Sequence, residues 1–181
     1  MTTRPVRVPP QPPDDWSAAT RAVLGAAPQQ GRLHLPAVVA WHPALLAPYM
    51  GWATAVARQG VLSPRDNALL ALRTALRCGS EFEWGVHVAH GQLSAEEVGR
   101  VADGPEAGWA PRDAALLRAA DELHDATVIG ETTWEDLAGM FANDALLEIV
   151  FVVGHYTMLS MVANTAGVQP EPEWPSLGRP T

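Results

Sequence analysis

The sequence predicts an all-α fold, on three observations. Apolar residues recur at three- and four-residue spacings in segments opened by capping residues and closed by glycine. Apart from a short connector before His42, nothing alternates with the period of two that a half-buried strand requires. A chain of 181 residues that is 48% hydrophobic and only 18% charged has enough apolar mass for a single core. The expected organisation is a proline-rich arm over 1–13, one helical domain of about seven to eight helices over 14–167, and an irregular tail over 168–181.

Taken in order, Met1 to Pro13 holds five prolines and no apolar period, the mark of an extended arm. Asp14 or Asp15 is expected to cap a helix reaching Leu24, with Gly25 ending it. Gly31 to Trp41 reads as a connector. Pro43 opens the next helix, since its missing N–H costs nothing in a first turn; the helix runs to Gly60. Ser63-Pro64-Arg65-Asp66 combines a capping hydroxyl, a first-position proline and a first-turn acid, and starts a helix reaching Cys78. Gly79 breaks it. Ser80 caps a helix that Gly91 closes, and Glu83 is placed to complete a capping box with Ser80. Ser94 opens a short helix, Ala102 to Trp109 is a loop, and Pro111 opens a helix to about His124. Thr132 to Glu135 reads as a capping box for a helix to Phe141, and Asn143 or Asp144 starts the longest helix, ending at Gly167.

One internal echo stands out. Pro64 to Leu72 (PRDNALLAL) and Pro111 to Ala119 (PRDAALLRA) match at six of nine positions, 47 residues apart. The echo fits a duplicated helical unit or two helices solving one capping problem, with the second slightly favoured.

Composition excludes several classes. A formal charge of −8, from 12 basic and 20 acidic residues, offers no basic stripe to nucleic acid or to an anionic membrane. The sparse charge points to apolar surface covered by another subunit. Cys78 is the only cysteine, which rules out an intrachain disulfide and a two-cysteine redox centre within one chain; after its apolar run it reads as a buried thiol. The N-terminus lacks a signal-peptide core. The most apolar segment, Ala145 to Ala166, carries Glu148, His155, Tyr156 and Asn164 and reads as a core helix rather than a membrane span. A cytoplasmic protein is expected.

The chemistry concentrates in Cys78 to Gly91, CGSEFEWGVHVAHG. At helical pitch Glu83, His87 and His90 share one face, while Glu81, Trp84 and Val88 lie on another. A carboxyl group one turn from an imidazole can hold a proton near neutral pH and pass it on. Two bland readings compete: a solvated polar face, and a Glu83 tied up in its own helix start.

Leu62-Ser63-Pro64-Arg65, Gly79 to Val88 (GSEFEWGVHV), Ala119 to His124 (AADELH) and Val153-Gly154-His155-Tyr156 together resemble the carboxymuconolactone decarboxylase family, which also contains the AhpD-like alkylhydroperoxidases. The resemblance covers roughly Pro36 to Gly167. It implies an all-helical fold and a homo-oligomer, trimeric or hexameric or else dimeric, with sites near subunit contacts. The peroxidase branch carries a Cys-x-x-Cys pair with a histidine four residues on; here Ser80, Glu83 and His87 occupy those positions. The relay glutamate of that branch corresponds to Ala68. Peroxide reduction through a disulfide needs an attacking and a resolving thiol, so the resemblance favours the decarboxylase-like branch, whose members remove a carboxylate from a muconolactone in aromatic-acid breakdown. That chemistry needs no cofactor. It implies a small-molecule substrate, with His87 as acid/base, Glu83 steering it, and Glu81 as the alternative acid.

Other candidates fill out the site. Arg73 and Arg77 lie one turn apart, and either one of them anchors a substrate carboxylate or the two form a solvated helix face. Trp84, His90, His155 and Tyr156 are expected to line the pocket, with Trp41 and Trp52 as packing pieces or pocket wall. Glu83, His87 and His90 converge only partly on one ion, so no metal is expected. His124 reads as a helix C-terminal cap, His42 as structural, and His34 as uninformative. A non-catalytic helical oligomer binding an apolar ligand is the competing class.

Overall fold

The computed structural model describes residues 4–25 and 34–177. The described residues form a bundle of helices with no strand: α1 (Ala18–Leu24), α2 (His34–Val39), α3 (Pro43–Arg58), α4 (Pro64–Arg77), α5 (Glu81–Ala89), α6 (Ala95–Asp103), α7 (Pro111–Ala126), α8 (Glu131–Ala138) and α9 (Asn143–Ala166), preceded by a 3-10 turn at Pro13–Asp15. The fold class agrees with the expectation, with nine α-helices among the described residues rather than seven to eight.

Several starts follow the expected chemistry. Ser63 Oγ accepts from Asp66 N–H while the Asp66 carboxylate accepts from Ser63 N–H, a closed capping box. Ser94 and Glu97 close another at α6. Others differ. Asp14 and Asp15 lie in the 3-10 turn, and α1 is capped instead by Ser17, whose Oγ accepts from Thr20 N–H at 3.0 Å. The connector before His42 contains a helix, α2, whose Leu35, Ala37 and Val38 are buried; Pro36 had masked its pattern. At α8 the cap is Gly130 with no side-chain bond of its own: the helix starts at Glu131, which puts Thr132 inside it, and Glu122 of α7 accepts from Gly130 N–H at 2.8 Å and from Thr133 Oγ1 at 2.7 Å.

Helix α4 is the centre. Residues 68–75 are all buried, so it is enclosed on every side, with α7, α9 and α5 as its main neighbours. Its contact with α7 explains the internal echo. Arg65 of α4 makes a two-pronged bond to Asp113 of α7 at 3.0 and 2.9 Å, and Arg112 of α7 grips Asp66 of α4 in return. Farther along, Arg73 pairs with Asp121 and Arg77 with Asp125. The two Pro-Arg-Asp triplets thus bind each other reciprocally. Shared capping does not account for them: α7 has Ala110 at its cap, with no side-chain bond. Burial pushes the Asp66 carboxyl up, but its bonds from Arg112 and Ser63 outweigh that and hold it below the ordinary range.

Both arms cross the far end of the bundle. Arg7 and Val8 N–H donate to the carbonyl of Ala166, and Gln169 Nε2 donates to the carbonyl of Arg4. Trp174 of the tail lies against Gly85 of α5, where an added Cβ would stand 2.6 Å from its ring.

Candidate active site

Helix α5 is short because Gly79 (φ 58°) and Gly91 (φ 66°) bend the chain at either end in a conformation that side chains rarely tolerate. One face of it points at α4 and α9, and that face carries Glu83 and His87, 2% and 9% exposed. Ser80 Oγ accepts from Glu83 N–H at 3.4 Å, yet the reciprocal half of a capping box is not formed. The Glu83 carboxyl instead lies 3.8 Å from His87 Nε2.

Around this pair the fold gathers further polar aromatic rings. Tyr156 of α9 meets His87 edge-on with ring centres 4.5 Å apart, and its hydroxyl donates to Asn67 Oδ1 of α4 at 3.3 Å. Asn67 Nδ2 is fixed in turn by the carbonyl of Val56 at 3.1 Å. His155 packs against Tyr156 with centres 5.0 Å apart. Trp52 Nε1–H donates to His155 Nδ1 at 3.1 Å, which leaves the proton of the neutral ring on Nε2. Both tyrosines of the chain, Tyr49 and Tyr156, have their hydroxyl pKa raised, first by burial and then by the Glu83 charge.

A pocket of about 310 Å³ opens onto this group, lined by Asn67, Ala68, His87, His90 and Tyr156 with Arg58 and Gln92 at its edge. Its size is at the small end of the roughly 300–1,000 Å³ typical of ligand sites. Ala68, at the position of the peroxidase branch's relay glutamate, contributes wall and no proton carrier.

Burial decides the protonation of the central pair. It pushes Glu83 up to about 8 and, with smaller contributions from His90 and His155, pushes His87 down to about 3. At neutral pH the carboxyl therefore carries the proton and the imidazole is neutral. His155 is depressed to about 4 by burial, and His90 is lowered by burial and then by Arg58.

The remaining expected site residues lie elsewhere. Glu81 faces the tail, where its Oε2 accepts from Leu177 N–H at 2.8 Å. Trp84 is fully enclosed in the core and does not reach the pocket, and its indole N–H has no partner among the described residues. Arg73 is held by Asp121 at 2.7 and 2.8 Å and by the carbonyl of Val101 at 2.9 Å. Arg77 is engaged by Asp121 and Asp125. Both arginines are thus neutralised by α7, on the side of α4 away from His87. No group of three or more metal-ligating side chains is assembled among the described residues. Cys78 Sγ lies 3.7 Å from His124 Nδ1, and burial raises its pKa. Arg58, Asn67 and Gln92 reach the pocket without any periodic signal in the sequence; Arg58, in the last turn of α3, resembles an ordinary dipole-facing cation.

No family model and no curated protein matches the sequence. Solved structures do match. A peroxidase-related protein of Ralstonia eutropha JMP134, described as an alkylhydroperoxidase AhpD core, superposes with a TM-score of 0.74 at 19% identity, over 96% of this chain and 98% of its own. A protein of Agrobacterium tumefaciens described as a putative antioxidant defence protein AhpD gives 0.69 at 20% identity, over 75% of this chain and 96% of its own. The debrominase Bmp8, as a cysteine-to-alanine variant in complex with 2,3,4-tribromopyrrole, gives 0.70 at 14% identity, over 94% of this chain and 95% of its own. The chain has the AhpD-like helical fold, and with Cys78 as its only cysteine it lacks the Cys-x-x-Cys pair.

Proposed function

We propose that the protein is a cofactor-independent proton-transfer enzyme, a carboxymuconolactone decarboxylase-like lyase acting on a small lactone or keto acid. One observation carries this reading: His87 reaches a ligand-sized pocket while its ring is backed by a buried, protonated carboxyl. Loss of the substrate carboxylate breaks the bond to the carboxyl carbon. The electron pair passes into the adjoining unsaturated system as an enolate, and CO₂ departs. His87 protonates the carbanionic carbon from its pocket-facing nitrogen while Nε2 takes the proton of Glu83, so the imidazole is neutral before and after. Closing the 3.8 Å gap to hydrogen-bond length is part of that step. Because burial disfavours the charge left on Glu83, the imidazole returns its Nε2 proton to that carboxylate as its pocket-facing nitrogen takes one from water, which restores both groups.

The tribromopyrrole held by Bmp8 supports a fold able to hold one small ring. Peroxidase chemistry is disfavoured, since no thiol lines the pocket. The test is CO₂ release from a panel of lactone acids and keto acids by wild type and His87→Ala. Positioned acid–base catalysis contributes about 10²–10⁴-fold, and the variant should lose that much. An isomeric product without CO₂, lost in the variant, would instead assign an isomerase or dehydratase. No turnover of either kind across the panel would leave a binding protein.

We propose further that a second copy covers the outer face of α9. Leu147, Phe151, Met158 and Met161 are 61%, 54%, 44% and 63% exposed and follow the seam spacing of a heptad, with Gly154 in the gap. By length and composition this helix would also cross a membrane, but half of it is buried inside the bundle.

A further inference from the structure

We infer that Arg58 and Gln92 form the anion-binding end of the His87 pocket, selecting a small organic molecule by a carboxylate and setting its reacting carbon against His87 and Tyr156. This rests on the pocket already assigned to proton transfer. The first observation is position: Arg58, Gln92 and His90 edge the same space that His87, Tyr156 and Asn67 line. The second is the contrast with the arginines of α4 and α7. Arg65, Arg73, Arg77, Arg112 and Arg118 each spend their charge on a carboxylate of the chain, whereas among the described residues none lies within ion-pairing distance of Arg58. The third is the company it keeps. His90 feels the Arg58 charge, so the guanidinium, though exposed, stands close to that imidazole at the mouth of the pocket. His87 and His155 are neutral there and offset none of that charge. The acid within the cluster, Glu83, is protonated and contributes no counter-ion.

A cation at the rim of a pocket whose own groups are neutral leaves a site with one net positive charge, which a carboxylate completes. The planar fork of arginine matches two carboxylate oxygens, and the Gln92 amide adds one further donor. The other end of the ligand then lies on the neutral, hydrogen-bonding wall of Tyr156 and Asn67. A monocarboxylate with a carbonyl-bearing ring fits this division. A dianion would place its second charge against Tyr156 and a neutral imidazole, where nothing balances it.

The experiment is calorimetric binding of 5-oxotetrahydrofuran-2-carboxylate and of its methyl ester to the full chain and to Arg58→Gln and Arg58→Lys, with inorganic phosphate as a competitor. The acid should bind at least about tenfold more tightly than the ester, and Arg58→Gln should lose about ten- to a hundredfold of that affinity. Arg58→Lys should recover part of it. The His90 ring resonances should shift both on binding and in unliganded Arg58→Gln. Equal binding of acid and ester, undiminished binding by Arg58→Gln, failure of the acid to bind, or displacement by phosphate at equal concentration would each overturn the assignment. Selective, Arg58-dependent binding of this saturated probe, with no CO₂ or isomeric product from the unsaturated lactone acids and keto acids of the panel, would uphold it while removing the proposed lyase chemistry. CO₂ release insensitive to Arg58→Gln would do the reverse.

Discussion

Replacing Glu83 by glutamine tests whether the buried carboxyl is a stored proton. The amide has the shape of the protonated acid and cannot ionise. In the wild type, Glu83 rises from 4.5 unfolded to about 8 folded, so the native chain holds one extra proton between those values and loses stability as pH rises through them. His87 falls from 6.5 to about 3, so the unfolded chain holds the extra proton there and stability is lost as pH falls. The two slopes oppose one another from pH 4.5 to 6.5 and cancel. Above 6.5 only the Glu83 slope remains. Over the interval from 6.5 to about 8 it amounts to about 2 kcal/mol, at roughly 1.4 kcal/mol per pH unit. Urea unfolding followed by tryptophan fluorescence across this range reads it directly. Wild type should weaken by that amount, and Glu83→Gln should remove that slope and be the more stable protein already at neutral pH, by a margin that stops growing above about pH 8. If Glu83→Gln is strongly destabilised at neutral pH, or if wild type shows no slope above 6.5, the pair is an ion pair and the stored-proton argument fails.

Three further perturbations test the scaffold. Gly85→Ala puts a methyl group against Trp174, 2.6 Å from its ring, and should cost about 1–3 kcal/mol while exposing the tail to limited proteolysis. Arg112→Ala strips the buried Asp66 of its two-pronged partner, leaving Ser63 alone, and should cost about 3 kcal/mol in urea unfolding; a cycle with Asp66→Asn isolates the pair. Phe151→Glu sets a charge in the outer α9 stripe and should lower the mass measured by light scattering to that of one chain, with the helical circular dichroism unchanged.

Local chemistry made much of the scaffold legible. The Ser63-Pro64 start, the Gly79 and Gly91 breaks and the αL closure at Gly167 each depend on a few adjacent residues. Where a distant contact decided, the local reading failed: Glu122 of α7 holds the Gly130 N–H and starts α8 ahead of Thr132, and Pro36 concealed a helix held by burial of its neighbours. The face shared by Glu83 and His87 was visible as a four-residue spacing. Whether Glu83 would fasten its own helix was not, because capping and burial begin from the same Ser80 bond.

By itself the sequence determined the helices, the single cysteine that rules out a dithiol centre, and the imidazole one turn from an acid, since all of these follow from spacing along the chain. Only the tertiary structure decided which arginines are spent on carboxylates and which one reaches the pocket. Arg73 and Arg77 meet aspartates on α7, 48 residues away, while Arg58 comes to the pocket edge through the packing of α3 against α4 and α9. It likewise decided the charge state of the central pair, because desolvation depends on what encloses a group, and Glu83 and His87 are enclosed by helices the chain reaches far from them in sequence.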